Sequence, residues 1–313
     1  MNKLILAAVS GALALAPVAA KAEFVNILTG GTSGVYYPLG VAISKVITEK
    51  VPDARPSVQS TKASVENLNL IEQGKGEIAF TLADSLSNGA KGNAEAGFKA
   101  PLKKVVALGA IYPNYIQIVA SKDSGIKTLA DLKGKRLSVG APKSGTELNA
   151  RAILGAAGIQ YEDLGKVEYL PFAESVELMK NRQLDATLQS SGLGVASIKD
   201  LANSVPIVMV EVPAAVIEKV GAPYIAATIP AGTYEGQDAA VATAAVPNFL
   251  VTRSNLSDAE VYAMTKAIYD NLPELVAAHA AAKGIKLENA MKGSPVPFHP
   301  GAAKYFKEKG VTP

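Results

Sequence analysis

The 313-residue chain has no cysteine and no tryptophan, and only two histidines, His279 and His299. Without cysteine there is no disulfide framework, no thiolate metal site and no thiol redox chemistry. Two histidines leave little from which to build a transition-metal centre or a histidine-based catalytic set. His279 lies in an alanine-rich stretch and His299 between Phe298 and Pro300; both read as structural or surface residues, and neither a metal nor a cofactor is implied. An excess of charge of one sign is also lacking. Lys and Arg total 31 against 28 Asp and Glu, and without Lys3 and Lys21, which fall in the export segment described next, the balance is 29 to 28. A nearly neutral surface argues against nucleic acid as a partner. It also provides no long-range steering, so a charged ligand has to be recognised by local groups.

What is present begins with "MNKLILAAVSGALALAPVAAKAEF". One early cation, Lys3, is followed by an uncharged run from Leu4 to Ala20 and then Ala20-Lys21-Ala22. Small residues at the first and third places of that triplet fit signal peptidase, so a signal peptide over 1–22, cleaved after Ala22, is expected. The run is short and rich in Ala, Gly and Pro, which separates it from a membrane anchor, and no later stretch is long and apolar enough to span a bilayer. The mature chain is expected to begin near Glu23 and to be soluble in the periplasm, with length enough for two domains and two cores.

From there the pattern alternates. "EFVNILTG" reads as a strand, "YYPLGVAISKVITEKV" as a helix with Leu39, Ile43, Val46 and Ile47 on one face, "RPSVQSTKAS" as strand and loop, "VENLNLIEQGKG" as a helix capped by Ser64, and "EIAFTLADS" as a strand. "YIQIVAS", "RLSVGA", "TELNARAILGAAG", "VEYLPF", "SVELMKNRQL", "DATLQSS", "VASIKDLAN" and "PIVMVEV" repeat the alternation. "VATAAVPNFLVTR" reads as one returning strand, followed by a helix capped by Ser257. This is the rhythm of parallel sheets covered by helices.

Two glycine-serine turns join a strand to a helix, "LTGGTSGVYY" in the first half and "VGAPKSGTEL" in the second. A helix's first N–H groups have no intrahelical partner and carry partial positive charge, and glycine lets a ligand approach them closely. An anion such as a carboxylate fits there without a lysine. The hydroxyls of these turns either cap their helices or face a ligand; two matching turns in one exported chain favour the ligand.

Other chemistries are poorly supported. Ser33, Ser144 and Ser191 lie near glycines but none is in a G-x-S-x-G elbow, so an exported serine hydrolase using Ser33 or Ser144 is the alternative rather than the leading reading. Gly74-x-Gly76-x-x-Ala79 precedes its strand, the wrong order for a dinucleotide turn, and Gly192-x-Gly194-x-x-Ser197 opens only a short helix. Asp84, Glu147, Glu66 and Asp185 are scattered, with nothing pairing them as acid and base; Arg151 and Arg253 read as surface residues.

At "GGTSGVYYPLG", joined to "QSTKASVENLNLI", "GAPKSGTELNAR" and "ATIPAGTYEGQD" and continuing through "VPFHPGAAKYFKEKG", the sequence resembles the TAXI-type solute-binding subunits of tripartite ATP-independent periplasmic (TRAP) transporters. The resemblance implies an α/β, periplasmic-binding-protein-like fold of type II: two α/β domains with a central ligand cleft and crossing hinge strands, domain I over 23–112 plus 241–313 and domain II over 113–240. It implies capture of a small organic anion, a carboxylate such as glutamate or 2-oxoglutarate, and delivery to a membrane-embedded permease driven by an ion gradient, without catalysis. Carried over position by position, Thr32, Ser33, Gly34, Tyr36 and Tyr37 line one wall, with Thr61, Ser64 and Asp84 at the next strand ends. Lys143, Ser144, Gly145 and Thr146 line the other, completed by Gln189, Ser190 and Ser191, and Tyr112 lies at the first crossing. The chain departs from the family where Lys62-Ala63 replaces two glycines, where Lys143 replaces a glycine, and in "TLADSLSNGAKG" and "LQSSGLG"; Lys62 is read as surface charge.

Overall fold

The computed structural model describes residues 23–312; the expected signal peptide lies outside them. The chain opens with β1 (Glu23–Leu28), α1 (Tyr36–Lys50), β2 (Ala54–Gln59), α2 (Ser64–Glu72), β3 (Ile78–Leu82), α3 (Ala83–Lys91) and β4 (Val105–Ala110). It crosses at Tyr112-Pro113 into β5 (Asn114–Ser121), β6 (Arg136–Ser138), α4 (Gly145–Ala156), β7 (Lys166–Glu168), α5 (Phe172–Lys180) and β8 (Ala186–Ser191). Next come α6 (Ala196–Ser204), β9 (Ile207–Val210), α7 (Ala214–Val220), β10 (Ile225–Ile229) and β11 (Val241–Val246). It returns through β12 (Asn248–Arg253) and ends in α8 (Asp258–Asp270), α9 (Leu272–Ala278) and α10 (Pro300–Glu308). Among the described residues no helix is long and apolar enough to cross a membrane.

The strands form two sheets. The first has the order β2-β1-β3-β12-β4 and the second β10-β11-β5-β8-β6-β7, with β9 also on β5. β1 is parallel to β2 and β3, and β6 is parallel to β7 and β8. Both sheets are nonetheless mixed, not parallel as the rhythm suggests, because the crossing strands run the other way. β12 is antiparallel to β3 and β4, and β5 to β8, β9 and β11. The returning strand is two strands in two sheets, divided at Pro247, which has no N–H to give to a ladder.

Each sheet with its helices makes one lobe. On α1 the buried residues are Tyr36, Leu39, Gly40, Ala42, Ile43, Val46 and Ile47, the helical face expected from the spacing. Gly40 is fixed by packing: a Cβ there would lie 2.4 Å from the Thr29 methyl group. Where the two crossings pass, Asn248 ties them together, its amide donating to Tyr112 O and Asn114 Oδ1, both at 2.8 Å. Tyr36 OH donates to Asn248 Oδ1 and thereby fastens the start of α1 to the same point.

Candidate functional site

A cavity of about 320 Å³ lies between the lobes. Its walls are the segments that leave the strands of both sheets, and four of them open helices. Gly30–Tyr36 leads into α1, Ser60–Ser64 into α2, Ser144–Thr146 into α4 and Pro171–Glu174 into α5. Leu82, Asn114, Ala141, Ser190 and Ser191 fill the spaces between them. Strand ends and helix starts face the cavity from both sides, the arrangement in which open α/β sheets hold ligands.

Eleven of the residues expected from sequence line this cavity: Thr32, Ser33, Gly34, Tyr36, Thr61, Ser64, Ser144, Gly145, Thr146, Ser190 and Ser191. Five are elsewhere. Tyr37 is half-buried on α1, away from the lining. Lys143 is exposed, with φ at +61°, and contributes its carbonyl, which accepts from Glu66 N at 3.2 Å across the lobes. Gln189 is fully buried, its Oε1 accepting from Ser197 Oγ at 2.6 Å. Tyr112 is buried in the core at the crossing, its hydroxyl without a partner. Asp84 is buried at the lobe contact, where Oδ2 accepts from Asn149 Nδ2 at 2.7 Å and Tyr224 OH at 2.8 Å while Oδ1 accepts from Ser85 N at 2.7 Å. Burial raises its carboxyl above the ordinary value despite those donors.

Sequence reasoning missed the third wall segment of the second lobe, Pro171–Glu174, which has no glycine to signal it. It also treated Lys62 as surface charge, although Lys62, exposed, is at the cavity rim. Ser64 is the first residue of α2 and not its cap; Ala63 holds that place with φ +71° and ψ −151°, and the Ser64 hydroxyl accepts from Leu82 N at 3.2 Å.

The polar side chains of the first lobe's wall are largely occupied by their own main chain. Ser60 Oγ donates to Gly30 O at 2.9 Å, and the single hydrogen of Thr61 Oγ1 lies between two acceptors, Thr29 O at 2.9 Å and Asn67 Oδ1 at 2.6 Å. Burial raises the Tyr36 hydroxyl's pKa well above its ordinary value, so it stays a neutral donor. On the opposite wall Ser144 caps α4, its Oγ accepting from Glu147 N at 3.1 Å, and Asn114 Nδ2 donates to Ser190 O at 2.9 Å. Ser190 itself is 5% exposed and its Oγ has no partner. Of the lining side chains only Lys62 and Glu174 are charged, and both are exposed.

The lobes touch around this cavity. Besides the Glu66–Lys143 link, Ser197 N donates to Ser33 O at 3.3 Å. Gly145 is packed so closely that a Cβ would lie 2.6 Å from both Leu82 Cδ1 and Ser64 Oγ.

The model of the NMT1-like family matches residues 27–310 of the chain. Among solved structures, the chain is similar to the periplasmic binding protein BugD, with 10% identity over 93% of this chain and 95% of that one and a TM-score of 0.60. It is similar to PhnD1 from Prochlorococcus marinus (MIT 9301), a complex with methylphosphonate, with 11% identity over 93% and 97% and a TM-score of 0.59. It is also similar to the alkanesulfonate-binding protein SsuA from Xanthomonas axonopodis pv. citri, bound to MOPS, with 15% identity over 92% and 85% and a TM-score of 0.51. At these identities the likeness is one of fold: the type II periplasmic-binding-protein fold expected from the sequence.

Proposed function

The chain belongs to the NMT1-like family, and from that premise we propose that it is an exported solute-binding protein whose interlobe cavity captures a small organic anion. The observation that carries this reading is the convergence of four helix starts on the cavity between the lobes. Helix starts present N–H donors and partial positive charge without a basic side chain, which suits a chain of nearly balanced charge. Binding is paired with closure: the first lobe comprises the first sheet with the C-terminal helices, the second lobe the second sheet, and the hinges are Tyr112-Pro113 and Pro247. Export is supported by the leader pattern of the sequence.

The finer reading is that this is the TAXI-type receptor subunit of a TRAP transporter and hands its ligand to a membrane permease. It rests on the ordered motifs of the sequence. Catalysis has less in its favour. A serine hydrolase needs a base about 3 Å from its nucleophile, whereas Ser144 Oγ accepts from Glu147 N. The two histidines cap helix ends, Nδ1 of His279 accepting from Ala281 N and Nδ1 of His299 from Gly301 N.

The test is calorimetry on ligand-stripped protein against a broad panel of organic anions, with small-angle scattering at saturation. A bound anion, a raised unfolding temperature and a smaller radius of gyration are expected. A panel without a single ligand contradicts the reading.

A further inference from the structure

The charged residues that line the interlobe cavity are few and of opposite sign. Lys62 lines it from the first lobe and Glu174 from the second. Both are exposed, and among the described residues neither side chain has a hydrogen bond or an ion pair. The other charges nearby are engaged or outside the lining. Glu66 Oε2 accepts from the main-chain N–H of Lys62, Glu147 Oε1 accepts from Arg151 Nη2 at 2.7 Å, and Lys143 is not among the lining residues. The lobes already touch around the cavity, through Glu66 N to Lys143 O at 3.2 Å and Ser197 N to Ser33 O at 3.3 Å. Even with the lobes in contact, the one cation and the one anion on opposite walls are not joined to each other.

Both charges are carried on held backbone. In the loop of Lys62, Ala63 N donates to Thr61 Oγ1 at 2.9 Å, and the Glu66 carboxylate holds the N–H of Lys62 itself. Glu174 is in the first turn of α5. The loop of Lys62 adjoins the glycine turn, since a Cβ on Gly30 would lie 3.3 Å from the Cβ of Ala63, so the two segments form one wall. The rest of the lining includes the apolar Val35, Leu82, Ala141 and Phe172, and the hydroxyls of Ser60 and Thr61 are engaged within the first lobe.

We propose that Lys62 and Glu174 set the specificity of the cavity, and that the ligand is an elongated dipolar ion of the ω-amino acid class: a carboxylate at one end for Lys62, a protonated amine at the other for Glu174, and an apolar spacer between them. This rests on the receptor reading above and narrows it, keeping the anionic group and adding a cationic one. Because the two residues belong to opposite lobes, the ligand's charges are called for at separate ends, and each end then engages one lobe. A monocarboxylate leaves Glu174 unanswered. A dicarboxylate meets it with a charge of the same sign, an arrangement by which interfaces reject wrong partners.

The experiment titrates ligand-stripped protein with straight-chain ω-amino acids of four to six carbons and with the chain-matched monocarboxylates and dicarboxylates. The best ω-amino acid is expected to bind about fivefold more tightly than its monocarboxylate and its dicarboxylate, the upper worth of an exposed ion pair, and the preference should shrink in concentrated salt. In Glu174→Gln the ω-amino acid and the monocarboxylate are expected to bind alike, whereas Lys62→Gln is expected to weaken both. Neither variant should lower the unfolding temperature of the ligand-free protein, since neither side chain has a partner to lose. A monocarboxylate or dicarboxylate that binds as tightly as the ω-amino acid, a preference that survives Glu174→Gln, or undiminished binding in Lys62→Gln overturns the proposal and leaves the receptor reading standing. So does a ligand found in the broader panel when no compound of this series binds. If nothing in either set binds, the receptor reading fails and this proposal with it.

Discussion

The two glycine-serine turns are alike in sequence and unlike in use. At "LTGGTSGVYY" the helix starts without a side-chain cap or an acidic residue, and its approach is open. At "VGAPKSGTEL" Ser144 caps the helix, Glu147 sits in its first turn paired with Arg151, and Gly145 is pressed against Ser64 and Leu82 of the opposite lobe. On the receptor reading the first turn mainly receives and the second mainly closes, although Ser33 O of the first also accepts from Ser197 N across the lobes at 3.3 Å. Glycine serves both, in one case by leaving room for a ligand and in the other by letting two lobes approach. What separates them is which groups already occupy the helix's first N–H donors, and that depends on residues three places along and on the partner lobe.

The largest effect should come from adding bulk at the closing turn. Gly145→Val is expected to force the lobes apart, weakening anion affinity by about 3 kcal/mol, the upper range for overpacking. Gly34→Val is expected to lose about 1 kcal/mol, because its Cβ meets only the Gly31 carbonyl at 3.3 Å and the Phe172 ring at 3.9 Å. Ser87→Ala, off the cavity, should stay within about 0.5 kcal/mol. Calorimetry on the three variants ranks them, and equal affinities would erase the distinction between the turns.

The closing side also carries Asp84. Its carboxyl is raised from the ordinary 3.8, chiefly by burial, against neutral donors from Asn149 and Tyr224, with Arg151 and Lys91 lining the crevice outside. If opening exposes this carboxyl to water, its value returns towards the ordinary one and closure takes up a proton. Closure is therefore strongest below the ordinary carboxylate range and weakens as pH rises through the raised value. Anion affinity followed from low to neutral pH is expected to fall, and Asp84→Asn is expected to flatten that profile. A profile unchanged by Asp84→Asn would remove the residue from closure.

A smaller effect should come from backbone strain on both sides of the cavity. Ala63 holds φ +71° with ψ −151°, a region that suits only glycine, and Lys143 holds φ +61°. These are positions where the resembling family has glycine. Ala63→Gly is expected to raise stability by about 1 kcal/mol through release of strain, which outweighs the added freedom of the unfolded chain. Lys143→Gly is expected to gain less. Denaturant unfolding measures both.

How much of this was legible in the sequence follows the range of the interactions involved. The alternation of elements, the helical face of α1 and the Ser257 cap, whose Oγ accepts from Glu260 N at 3.2 Å, are set by residues within a few positions of each other and could be read directly. The two turns stood out because each sets glycines beside hydroxyl residues between a strand and a helix. Phe172 and Glu174 carried no such mark; they reach the cavity because β7 pairs with β6, a contact some 30 residues long in sequence. Asp84 follows a strand end, like a wall residue, yet Asn149 and Tyr224 take it into the lobe contact. That partnership spans 65 and 140 residues, and no local pattern encodes it. Pro247 lies inside what reads as one returning strand; only the sheets show that it divides two strands belonging to different lobes.

The most direct measurement follows backbone amide resonances of isotope-labelled protein during titration with the tightest-binding anion of the calorimetric panel. The account predicts the largest shifts at the amides of residues 32–37, with Glu147 N, already held by Ser144, shifting least among the helix starts. Shifts concentrated at residues 145–147, with those of 32–37 unmoved at saturation, would contradict it.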